Sequence, residues 1–297
     1  MPGMNVRFAA TAAALALTVA ACSSSGSSAT KKNATTTKPT SGSSTSAAVS
    51  TTTGPPAPLT ILVTNDDGYS APGIDTMVQS LVKLPGVTVT VVAPLANQSG
   101  TGSKTTAGAL TATSVKTASG YPATAVKGYP ADTIRYALST VLHTPPDLVV
   151  SGINNGQNLG PFIAVSGTIG AAKAAAASGI PAIAVSAGLG NPPDYNAAAT
   201  ITDIWITSHR SAYTGTQHGA ADVININIPT CLPKAARGLK QVPAATALSG
   251  RDVNKVNCAS TATSPHDDID AFIDGFDTVT ELDAAGSTVT ATTAFVG

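Results

Sequence analysis

Residues 59–64 read Leu-Thr-Ile-Leu-Val-Thr, and residues 65–68 read Asn-Asp-Asp-Gly. The first stretch is apolar, rich in β-branched residues and of strand length. It lacks the apolar–polar alternation of a half-exposed strand, so it predicts a strand covered on both faces, as in a parallel sheet between helix layers. The second stretch sets two adjacent carboxylates where that strand ends. Like charges so close are costly unless paired. A hard divalent cation such as Mg²⁺ or Mn²⁺, which takes carboxylate and amide oxygens, removes the cost. A polar turn made by Asp67-Gly68 is the plainer alternative.

Outward from this stretch the pattern repeats. Pro72 suits a helix first turn, and Ile74, Met77, Val78, Leu81 and Val82 make a stripe at helical spacing. Strands are predicted at Val87–Ala93, Leu148–Val150, Ala182–Ser186 and Val223–Ile228, with helices from about Thr168 and around Ala197–Ser208. Repeated βα units imply a parallel sheet with right-handed crossovers. Ligands in such sheets bind beyond the carboxyl ends of the strands. Three segments fall there: Asn65–Gly68, the loop Pro94–Lys104, and Ser151–Gly160, which holds three Asn and three Gly. Ser166-Gly167-Thr168 then opens an Ala-rich helix, and a helix N-terminus with free amides suits an anion, although plain N-capping would use the same residues.

The N-terminus reads differently. Arg7 precedes a 14-residue apolar run, Phe8–Ala21, too short for the ~20 residues a bilayer needs. Val-Ala-Ala-Cys at 19–22 resembles the bacterial lipoprotein signal, with Cys22 the lipidated residue. Nineteen of the 36 residues in 23–58 are Ser or Thr, a composition that cannot bury enough apolar surface to fold. The expected organisation is a leader at 1–22, a disordered tether at 23–58 and one α/β domain at 59–297, exported and lipid-anchored at the outer face of a bacterial membrane.

Charge is sparse: 11% of residues, against about 25% ordinarily. The first 58 residues carry four bases and no acid, leaving 12 basic and 16 acidic residues in 59–297, a net −4. No basic face for a nucleic-acid polymer is expected. His143, His209, His218 and His266 are scattered, which disfavours zinc. Trp205, beside Ile201 and Ile204, reads as core. Half of the acids fall in 252–283 and read as a solvated or oligomer-facing surface. With Cys22 lipidated, Cys231 and Cys258 are the remaining thiols, and export predicts a bridge between them.

The segments ILVTNDDGYSAPGI, VVAPLANQSGTGS, GYPADTIRYAL, PDLVVSGINNGQNLG, VSGTIGAAKAAAASGIPAIAVS and VININIP resemble, in order and spacing, the SurE-type nucleotidases, the survival-protein family. The resemblance implies a Rossmann-like sheet flanked by helices, with a C-terminal extension used in oligomerisation, as dimers or tetramers. It implies a divalent-metal phosphomonoesterase acting on nucleoside 5′- and possibly 3′-monophosphates. One divalent ion per subunit, Mg or Mn, is expected on Asp66, Asp67, Ser99 and Asn154. Asp66 and Asp67 are also the expected catalytic pair, with Asn65, Gly100, Ser103, Ser166, Gly167 and Thr168 around the phosphate. Either an Asp or a metal-activated water can be the nucleophile. The haloacid-dehalogenase phosphatases place their Asp nucleophile on an Asp-x-Asp pattern; Asp66 and Asp67 are adjacent, so both cannot point the same way from an extended strand, which disfavours that reading. Two departures stand out: Pro161-Phe162 replaces two acidic residues of the family, and Gly102 replaces a frequent Ser. The alternative is a non-catalytic solute- or nucleotide-binding lipoprotein. Such proteins usually have two similar lobes, and this chain has no internal repeat.

Overall fold

The apolar run Leu59–Thr64 is strand β1, and every residue in it except Thr60 is buried. Ile61 and Val63 pack into one hydrophobic layer and Leu62 into the other, which is why the run shows no alternation. Burying each such side chain is worth roughly 1.5–3 kcal/mol. This computed structural model describes residues 54–214 and 222–287. The leader, Cys22 and all of the tether before Gly54 lie outside them. Before β1 the chain is held by Arg210, whose guanidinium donates to the Ala57 carbonyl at 2.6 and 2.8 Å.

After β1 come α1 (Pro72–Leu81), β2 (Val87–Pro94), β3 (Ala112–Lys116), β4 (Pro122–Val126) and α2 (Pro130–Tyr136). Then follow β5 (Leu148–Asn155), α3 (Gly167–Ala177), β6 (Ala182–Ala187), α4 (Tyr195–Ser208), α5 (Arg210–Tyr213), β7 (Val223–Ile228), β8 (Leu239–Gln241), α6 (Asp268–Ile273) and β9 (Asp277–Leu282). The nine strands form one sheet in the order β3-β4-β2-β1-β5-β6-β7-β9-β8. It is parallel except for the β3/β4 and β7/β9 pairs. One face packs against α1 and α4 and the other against α2 and α3. Strand order reverses at β1, with β2 on one side and β5 on the other. That is the switch point at which open α/β sheets form a crevice. The expected Rossmann-like architecture is therefore present.

Several expectations need correction. Strand β5 does not stop at Val150 but continues through Ser151-Gly152-Ile153-Asn154-Asn155, with a register shift between Ser151 and Asn154. A Cβ at Gly152 would crowd the Val185 carbonyl, and its φ of +150° is one that side chains disfavour. Such an irregularity re-aims the end of a strand. Asn154 therefore stands on the sheet, not in a loop. Helix α1 ends at Leu81, and Val82 is exposed.

Of the acidic stretch 252–283, residues 252–266 form a largely exposed loop that includes Asp252, whereas the acids from Asp267 to Asp283 are half-buried or buried. Asp267 caps α6 by accepting from the Asp270 N–H at 3.0 Å, and Arg251 pairs with Asp267 and Asp270 at 2.6 and 2.7 Å. Asp268 and Asp277 are buried. Trp205 is core, as expected, and donates to the Tyr213 hydroxyl at 3.0 Å, but Ile204 faces out.

Cys231 and Cys258 form a disulfide, with Cα atoms 5.7 Å apart. It ties the segment before α6 to the end of β7. In the chain-entropy model a loop of this length contributes about 3–4 kcal/mol. Replacing both cysteines by serine should lower the melting temperature by roughly 10 °C. Thermal unfolding of the wild type with and without reductant checks this; a shift under about 2 °C would show that the bridge carries little.

Candidate active site

Where β1 ends, the Asn65 side chain closes the turn on itself: its amide donates to the Gly68 carbonyl at 3.0 Å and accepts from the Gly68 N–H at 3.2 Å. Both polar ends of Asn65 are thereby engaged, which makes it a turn-former rather than the expected phosphate contact. Asp66 follows, 2% exposed, with its carboxylate against the N-terminus of α3. The Thr168 hydroxyl donates to Asp66 Oδ1 at 2.7 Å, and the Thr168 backbone N–H adds a second contact. A Cβ at Gly167 would lie 2.8 Å from the Asp66 Cβ, so a glycine is what lets the helix end meet the carboxylate. Thr168 and Gly167 therefore position Asp66; neither lines the cleft.

Asp67 joins three segments. Its Oδ1 accepts from Asn97 Nδ2 at 3.1 Å and has the Ser99 hydroxyl at 3.5 Å; its Oδ2 accepts from the Asn155 N–H at 3.1 Å. Asn154 donates its amide nitrogen to the Gly156 carbonyl at 2.7 Å, leaving Oδ1 available. Ser166 caps α3 by accepting from the Ile169 N–H at 3.2 Å.

A cleft of about 150 Å³ opens here, lined by Asp66, Ser99, Gly100, Asn154, Asn155, Gln157, Asn158, Phe162, Val165 and Ser166. Of the sequence-predicted residues, Asp66, Ser99, Gly100, Asn154 and Ser166 thus meet in one place, with Asp67 touching Ser99 behind them. Ser103 is exposed and is not part of the lining.

Sequence reasoning missed the parts that hold the cleft. Asn97 and Asn155 orient Asp67. Asn158 is fixed by Asn227, whose Oδ1 accepts the Asn158 N–H at 2.7 Å, by Asn225, which donates to the Asn158 carbonyl at 2.9 Å, and by Ser186. A signal existed: Val-Ile-Asn-Ile-Asn-Ile puts two amides on a central strand, where each must find a partner.

Electrostatically the site lacks positive charge. Among the described residues, no Lys, Arg or His pairs with Asp66 or Asp67. Burial, reinforced by Asp67 and opposed by the Thr168 hydrogen bond, pushes the Asp66 carboxyl up to about 6. Burial also raises Asp67. Among the described residues, no three His, Cys, Asp or Glu side chains are placed so that they could hold a metal ion together. The available donors are two carboxylates, an amide oxygen and a hydroxyl. That set suits a hard cation, and the uncompensated buried carboxylate calls for one.

Fold and cleft together define an α/β protein with a cleft rich in oxygen donors at the switch point of a parallel sheet. The chain belongs to the SurE family: the family model described as Survival protein SurE matches residues 61–254. It is 39% identical over 183 residues to a protein named 5′-nucleotidase SurE from Desulfitobacterium hafniense, covering 61% of this chain and 68% of that one. A protein of the same name from Rhodopirellula baltica is 38% identical over 202 residues, covering 66% and 76%. The crystal structure of the SurE protein from Aquifex aeolicus superposes with a TM-score of 0.62 at 27% identity, over 76% of this chain and 93% of that one.

The Asp66 environment makes a prediction for stability. With its pKa raised from 3.8 to about 6, the metal-free fold binds this proton more tightly than the unfolded chain does. The stability from that proton is full below 3.8 and is lost as pH rises through 6. Asp66→Asn removes the buried charge, so in chelator it should gain up to about 3 kcal/mol over wild type above pH 6 and little near pH 4, while losing activity. Denaturant unfolding at both pH values checks this. A pH-independent difference would contradict it.

Proposed function

We propose that this protein is a divalent-metal-dependent phosphomonoesterase that releases phosphate from nucleoside 5′-monophosphates. The observation that carries the reading is the buried Asp66 beside the half-buried Asp67, paired with no Lys, Arg or His among the described residues, at a cleft lined by Asp66, Ser99, Asn154 and Ser166. Family membership and relatives named as 5′-nucleotidases point the same way. None of the lining residues is Lys or Arg, so positive charge for the phosphate has to come from a metal and from the helix end.

The residues that would hold the metal, Mg²⁺ or Mn²⁺, are Asp66, Asp67, Ser99 and Asn154. When bound, such a cation polarises a phosphoryl oxygen and acidifies water. The chain's own groups do the rest. Thr168 holds Asp66, and Asn97 with the Asn155 amide holds Asp67, so that both carboxylates keep one orientation. Ser166, which lines the cleft at the start of α3, would donate its hydroxyl to a phosphate oxygen and offset charge that develops there. Gly100 lets the backbone of the 95–104 loop approach the ester.

Phosphate release from a panel of nucleoside monophosphates, with Mn²⁺ or Mg²⁺ and with chelator, tests the reading. Asp67→Asn should cost about 100-fold or more, and Ser99→Ala should raise the Mn²⁺ requirement while excess metal restores the rate. Full activity in chelator would overturn the assignment.

We further propose an exported, lipid-anchored enzyme, assembled as a dimer or tetramer through its C-terminal region. The leader and Cys22 motif support the first part, and the family resemblance supports the second. Cys22→Ala should move the protein out of the membrane fraction, because the multiply acylated cysteine is the anchor. Wild-type protein found in the cytosol with residues 1–21 retained would refute it.

A further inference from the structure

Beyond the metal and phosphate ligands, the cleft has an apolar wall. Phe162 and Val165 are 38% and 54% exposed, yet both line it. Large apolar side chains left in water at the rim of a cleft mark a surface that a ligand covers. These two are not on a loose loop. They belong to and follow the 3₁₀ turn Gly160–Ala164, whose Ile163 is buried. The Gly160 N–H donates to Asp268 at 2.8 Å, and the Val165 carbonyl accepts from the Gly102 N–H at 3.0 Å. The turn is pinned at both ends while Phe162 points outward between them.

We infer that Phe162, backed by Val165, is a specificity-determining platform on which the nucleobase of the substrate stacks. This rests on the phosphomonoesterase reading and adds which part of the substrate is selected. The cleft volume of about 150 Å³ falls below the roughly 300–1,000 Å³ of pockets that enclose a whole small molecule. Phosphate and sugar therefore occupy the oxygen-lined interior, and the remainder of a nucleotide lies at the mouth. A flat aromatic face there suits a base, which stacks whatever its hydrogen-bonding edge. No cation lines the cleft to favour a second phosphate or a carboxylate in that position.

The test compares AMP with ribose 5-phosphate, which lacks the base, in wild type, Phe162→Ala and Phe162→Trp with Mn²⁺. The alanine variant should lose about tenfold in kcat/KM for AMP, through KM, and stay within about twofold for ribose 5-phosphate. The tryptophan variant should keep the AMP value. Equal losses on both esters, or no loss on AMP, would overturn the platform and leave the phosphomonoesterase reading standing. A second arm needs no turnover: saturation-transfer NMR on adenosine with Mg²⁺ should label the adenine H2 and H8 protons in wild type and less so in Phe162→Ala. If the wild type hydrolyses no ester, the functional reading fails, and this arm still decides the platform. Absence of transfer to the adenine protons in wild type would overturn it.

Discussion

The contact between the Asp66 carboxylate and the first turn of α3 is the constraint on which the rest of the site depends. A buried carboxylate is held by hydrogen bonds that accept its charge only in part. Here the Thr168 hydroxyl and amide supply them, and Gly167 makes the approach sterically possible. The Asp66 carbonyl accepts from the Gln98 N–H at 2.7 Å, which brings the loop after β2 to the same point. Three segments distant in sequence, 65–68, 95–104 and 166–168, therefore meet because one carboxylate lies where β1 ends. The same crowding that organises them leaves a negative charge uncompensated, and this is the state a divalent cation would relieve.

The second wall of the cleft is built by polar groups inside the sheet. Asn225 and Asn227 on β7 and Ser186 on β6 converge on Asn158, using buried hydrogen bonds where aliphatic packing would be ordinary. Such a network fixes one geometry at Asn158, although the Asn225 Oδ1 within it is buried without a partner. Asp268, at the start of α6, accepts from the Gly160 N–H and the Ala245 N–H, both at 2.8 Å. The acid joins the C-terminal segment to the turn that carries Phe162. Its carboxyl is raised to about 6 chiefly by burial, the mark of a charge placed for its backbone contacts and not for exposure to solvent.

Legibility followed burial. Strands β1, β2, β6 and β7 were readable because each is a run dominated by aliphatic and β-branched residues that is mostly buried. The far half of β5 was not, because Ser-Gly-Ile-Asn-Asn resembles a turn by composition; only pairing of Asn154 with Ser186 on the sheet makes it a strand. The β3–β4 hairpin is at the sheet edge and half-exposed, so it carries little apolar pattern. Helix α6 has six residues, too few for a periodic stripe, and its acids look like surface until Arg251 and the buried backbone amides are in place. At the site, residue type and the end of β1 marked Asp66 and Asp67, whereas Ser99 and Asn154 were singled out within their segments only by the family resemblance. The orienting residues Asn97, Asn155 and Asn158 act through side chains and amides whose direction no spacing encodes. The role of Thr168 changed for a related reason: a hydroxyl at a helix start can serve a ligand or a neighbouring carboxylate, and the position of Asp66 decides between them.

The C-terminal segment, whose composition read as a solvated or oligomer-facing surface, is also the outer support of the cleft. Gln157, in the lining, donates to the Val253 carbonyl at 2.9 Å and to Asn254 Oδ1 at 3.0 Å. Leu159, Ala245, Val253, Ile269 and Phe272 form a separate small core beneath the 3₁₀ turn. A core of that size contributes little alone against the chain entropy of the segment over it. The Cys231–Cys258 bridge lies on the same segment and removes part of that entropy from the unfolded state. The bridge and the small core are therefore complementary. The disulfide limits where the segment can go, the core sets how it packs, and the outcome is a fixed seat for Gln157, Gly160 and Phe162. The Arg251 pairs with Asp267 and Asp270 add to this arrangement on the same segment, and together they hold the rim of the cleft in place.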